Sequence, residues 1–81
     1  MTSSITIEQT VSMLEEATLS NPGAVSSDSS LAQLDGWDSM GMVVFMGLVK
    51  EQLGVELVVH DLRGCATPAA VRELVEKVAG Q

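Results

Sequence analysis

Positive charge is what this chain has least of. Four lysines and arginines stand against eleven aspartates and glutamates, with one histidine, for a net charge of −7. Gripping nucleic acid needs a basic face that displaces counterions from phosphates, so that class is excluded, and anionic membrane surfaces with it. An acidic chain instead meets basic patches on protein partners, although plain solubility accounts for the charge equally well. Cysteine is also scarce. Cys65 stands alone, forms no internal disulfide and decides nothing about redox compartment. One histidine, His60, and one cysteine cannot build a zinc site, and the carboxylates lack calcium-loop spacing. No apolar run approaches a membrane span, and Met1 to Ile5 lacks the basic and apolar regions of a signal peptide. The expectation is a soluble, cytoplasmic protein that is monomeric.

What is present is apolar content with helical rhythm. A hydrophobic share of 46% argues against disorder, and 81 residues suffice for one small domain over 1–81 with a single core. Thr6 with Gln9 reads as a capping box, and Ile7, Val11, Leu14 and Thr18 then fall on one face of a helix over about 6–19. Asn21-Pro22-Gly23 stops it. A connection over about 20–37 is rich in serine, with Leu31, Leu34 and Trp37 as apolar pins. A second helix over 39–53 carries Met40, Met42, Val43, Val44, Phe45, Met46, Leu48, Val49 and Leu53, and closes at Gly54. Val55 to Val59 has strand composition but no partner strand, so it reads as an extended linker. A short turn over 60–64 follows. Thr67-Pro68 opens the last helix, with Val71, Leu74, Val75 and Val78 on one face and Gly80 at its end. The fold expected is all-α: a small four-helix bundle of three long helices and one short one, with a long first loop.

Ser39 needs a separate explanation. A serine at a helix start is ordinarily a cap, but Asp38 precedes it and can cap by itself, leaving the hydroxyl of Ser39 surplus. As a nucleophile it lacks a base: His60 lies far along the chain, no lysine is adjacent, and Asp38 alone makes no triad. The chain does not read as an enzyme. A serine modified by another enzyme fits better, because a phosphate gains from the exposed N–H groups and dipole at a helix N-terminus.

Leu34-Asp35-Gly36-Trp37-Asp38-Ser39-Met40, the apolar helix after it, Leu53-Gly54-Val55-Glu56-Leu57, and Thr67-Pro68 leading into Val71 and Leu74 together resemble the acyl and aminoacyl carrier-protein superfamily. The resemblance covers nearly the whole chain. It implies that a phosphopantetheinyl transferase attaches 4′-phosphopantetheine from coenzyme A to Ser39 through a phosphodiester, and that the terminal thiol carries an acyl or aminoacyl group. It further implies partners in a loading enzyme and in downstream synthases or transferases, with Asp38 helping the transferase engage. Met40 takes the place of the family's usual leucine, a swap of similar volume.

Two departures from the family bear on partners and cargo. The second helix has no acidic residue before Glu51, where fatty-acid carriers resembling this one present several. Its apolar residues therefore stand in for them, and Trp37, Asp38, Met40, Met42 and Val44 are the candidate partner contacts. Met42 and Val44 are balanced between core and contact, whereas Val43, Phe45, Val49 and Leu53 are expected inside. Asp38 before the serine is closer to acyl than to peptidyl carriers, and Trp37 is similar to free-standing carriers of polyketide and nonribosomal-peptide pathways. The alternative from another class is an unmodified helical docking module that binds through the second helix. Glu15, Glu16, Glu73 and Glu76 read as solvated faces, Cys65 as a small buried filler, and His60 as a local cap.

Overall fold

The computed structural model describes residues 5–80, so the signal-peptide reading, which rests mostly on Met1–Ser4, falls outside the described residues. The chain is all-helical, and among the described residues no strand occurs. Its order is α1 (Ile7–Ala17), a 3-10 turn at Leu31–Gln33, α2 (Ser39–Leu53), α3 (Val59–Arg63) and α4 (Pro68–Ala79). Three long helices and one short one form the expected bundle. No described helix is long and apolar enough to cross a membrane.

The capping box at the head of α1 forms as expected. Thr6 Oγ1 accepts from the Gln9 amide and Gln9 Oε1 accepts from the Thr6 amide, each at 3.0 Å. The buried face of α1 is nevertheless rotated from the expected one: it runs through Thr10, Met13, Leu14 and Ala17, while Ile7 and Val11 are only half-buried. Thr10 tolerates burial because its hydroxyl donates to the Thr6 carbonyl at 2.9 Å, which leaves no polar group unsatisfied. The helix also stops earlier than Pro22 requires. Leu19 turns left-handed (φ 58°), and the Ser20 amide donates to the Glu15 carbonyl at 2.8 Å, closing a Schellman-type end without glycine.

The long first loop is fastened rather than loose. Glu15 Oε2 accepts from the amides of Gly23 at 2.8 Å and Val25 at 3.1 Å, so this carboxylate is a loop clasp and not the solvated side chain expected. Val25 and Leu31 are both buried, and Leu31 belongs to the central core. Farther along, the Leu31 amide donates to the Ala66 carbonyl at 2.9 Å, and the Ala69 amide donates to Ser27 at 3.3 Å. Glu76 also departs from expectation: it pairs with Arg72 at 2.7 Å, whose Nε donates to the Ile5 carbonyl at 3.0 Å.

Phe45, Leu14, Leu31, Leu62, Val49, Val71 and Val75 are the fully buried centre of the bundle. The linker after Gly54 alternates as an extended chain does, with Val55 and Leu57 inside and Glu56 and Val58 outside. In α2, Phe45 and Val49 point inward as expected, and Leu53 is half-buried. Val43 does not. It is 55% exposed, because an inward face at Met42, Phe45 and Val49 leaves position 43 on the far side of the helix.

Candidate functional site: the head of α2

Two glycines shape the entry to α2. Gly36 adopts φ +89°, and a β-carbon there would meet the Thr18 carbonyl oxygen at 2.8 Å. A β-carbon on Gly41, in the first turn of α2, would collide with the carbonyl oxygen of Gly36. The backbone thus doubles back on itself between these positions, a close approach only glycine permits. The two glycines leave the residues between them as a short, rigid ledge against the end of α1.

Asp38 occupies the cap position on that ledge. Its Oδ1 accepts from the Gly41 amide at 2.9 Å, and its carbonyl accepts from the Met42 amide at 2.9 Å. Trp37 is half-buried and meets Phe45 edge to face, with ring centroids 5.8 Å apart and planes at 78°. The indole therefore anchors the ledge to the core. Asp38 having taken the capping role, Ser39 stands as the first helical residue, with its side chain exposed.

One contact at this serine was not legible in advance. Arg63, the last residue of α3, donates from Nη2 to Ser39 Oγ at 3.0 Å. Of the other cations, Lys50 pairs with Glu56 at 3.1 Å and Arg72 with Glu76. Arg63 makes no ion pair among the described residues, and its polar contact there is with the neutral hydroxyl. The only hint in the sequence was the scarcity of basic residues, which makes the placement of each one informative. Beside this contact lies a groove of about 320 Å³ lined by Leu31, Ala32, Trp37, Met42, Arg63 and Cys65. Cys65 is half-buried, its Sγ donating to the Asp61 carbonyl at 3.6 Å; burial first, and the Asp61 charge second, push its thiol upward. That shift keeps it protonated near neutrality, the opposite of an activated thiolate.

The expected contact residues divide in two. Met40 (78% exposed) and Val44 (47%) face outward, and Val43 joins them at the spacing of one helical face. Met42 is 8% exposed and belongs to the core, because it shares the inward face with Phe45 and Val49. His60 is exposed on α3, with no hydrogen bond to Ser39 or Asp38. Among the described residues no three His, Cys, Asp or Glu side chains come together.

The residues at this end suit an anionic ester on Ser39. Its oxygen is accessible, a guanidinium already reaches it, and the helix start leaves amide hydrogens unpaired in its first turn. The chain matches no family model, no curated protein and no solved structure.

Proposed function

We propose that this protein is a carrier whose Ser39 bears a 4′-phosphopantetheine arm, and that it acts as a substrate for other enzymes rather than as a catalyst. One observation carries the reading: Ser39 Oγ is exposed at the helix start with no capping duty, since Asp38 already holds the Gly41 amide. Ser39 Oγ would form the new P–O bond to the phosphopantetheine phosphorus as the pyrophosphate bond of coenzyme A breaks. The proton of the hydroxyl is lost, and adenosine 3′,5′-bisphosphate leaves. The arm, when attached, supplies the thiol on which an acyl or aminoacyl group is held as a thioester. The protein's own part is to anchor that arm on a rigid ledge and to offer a surface beside it.

That surface is the stripe of Met40, Val43 and Val44, with Asp38 and the exposed edge of Trp37 at its head. Exposed apolar residues side by side on a small domain mark a contact site. The partners proposed are a phosphopantetheinyl transferase, a loading enzyme and downstream synthases or transferases, in specialised biosynthesis of the polyketide or nonribosomal-peptide type. The same stripe favours a second reading, an unmodified helical module that docks through α2.

Intact mass separates the two. After incubation with a broad-specificity phosphopantetheinyl transferase and coenzyme A, the carrier reading expects the mass to rise by one phosphopantetheine group. Ser39→Ala should abolish the rise. An unchanged wild-type mass favours the docking module.

A further inference from the structure

Arg63 has a geometry that the neutral hydroxyl of Ser39 does not use up. A guanidinium presents five N–H donors in a planar fork matched to two oxygens of a phosphate or carboxylate. Here one Nη2 donor meets one hydroxyl at 3.0 Å, in a chain of net charge −7 where two of the other three cations are already paired with carboxylates. The arginine also sits in the last turn of α3, where its charge is favoured by the helix carbonyls, so the contact does not work against its own helix. α3 itself is only five residues long. It is joined to α2 by an extended linker and held at its core side by Leu62. Helices this short owe their persistence to tertiary contacts rather than to their own hydrogen bonds.

We infer that Arg63 is a positioning residue that reads the modification state of Ser39, gripping the phosphodiester when it is present and thereby tightening α3 against the head of α2. This rests on the carrier reading above. Before modification, the guanidinium donates to a neutral oxygen, a modest bond in water. Once an anion is esterified to that oxygen, the same fork makes charge-assisted bonds to its phosphate oxygens, which are shorter and stronger. The modified protein therefore has a stiffer α3 than the unmodified one, and a partner that touches both helices meets two distinguishable surfaces.

Amide hydrogen exchange tests this on both forms of the full chain, with intact mass recorded on the same samples. The amides of Leu62, Gly64 and Cys65, which donate to Val58, Asp61 and Leu62, report on α3. Modification should slow them by about two- to fivefold, the range an exposed charged pair supports, and raised salt should shrink the difference. Arg63→Gln should still gain the phosphopantetheine mass but lose the slowing, and Arg63→Lys should keep part of it because the charge remains without the fork. Equal slowing in wild type and Arg63→Gln, or none in either at full modification, overturns the role given to Arg63 while leaving the carrier reading intact. An unchanged mass in wild type overturns both.

Discussion

α4 and α2 dispose of their apolar residues differently. α4 buries Val71 and Val75, half-buries Leu74 and Val78, and leaves Glu73 and Lys77 to water. α2 is apolar nearly all round: Phe45 and Val49 enter the core, yet Met40, Val43 and Val44 remain outside. α4 is accounted for once its stripe is buried. α2 has more apolar surface than one small core can take up, and the excess begins at the residue next to Ser39. A helix of that kind keeps an apolar face in water.

Substitutions within α2 can break or sharpen this contrast. Phe45→Ala attacks the inward face, where the ring is fully buried and supports Trp37, and should cost about 3–5 kcal/mol in urea unfolding. Gly41→Ala comes next. Helix propensity alone would reward alanine by about 1 kcal/mol. The collision with the Gly36 carbonyl should reverse that into a loss of about 1–3 kcal/mol. Gly47→Ala is its counterpart in the same helix: nothing lies near its missing β-carbon, and a gain of about 0.5–1 kcal/mol is expected. If both glycines responded alike, the close approach at the helix head would not be what sets Gly41 apart. Val44→Glu should be the mildest, within about 0.5 kcal/mol in stability, and on the carrier reading it should slow loading by the proposed partner enzyme. A large loss of stability at position 44 would place it in the core instead.

The same contrast explains what could be read from the residues and what could not. Caps are local chemistry, so Thr6 with Gln9, Asp38, Gly54 and Thr67-Pro68 marked helix ends to within a residue or two. The left-handed Leu19 has no such marker, so the sequence pattern extends α1 too far. A clear stripe made the inward face of α4 legible. The near-continuous apolar residues of α2 give no phase, so the pattern alone sets Val43 inside and does not decide Met42. At the site, the spare hydroxyl of Ser39 followed from its neighbour Asp38. The contact of Arg63 did not, because it joins helices whose relative placement no local pattern encodes. Glu15 reads as a solvated face for the same reason: its partners, Gly23 and Val25, belong to a loop whose path only the packed bundle determines.

The bonds from Leu31 to Ala66 and from Ala69 to Ser27 have a consequence in time as well as in space. They join the stretch preceding Ser39 to residues made only after α2 and α3. During synthesis α1 and α2 can wind, with Glu15 already clasping Gly23 and Val25, before the partners of Ser27 and Leu31 exist. The bonds that tie this loop to the start of α4 are thus among the last to form. On the carrier reading, a transferase arriving during synthesis would find Ser39 already on its ledge, but with the loop ahead of it not yet tied to the far end of the bundle.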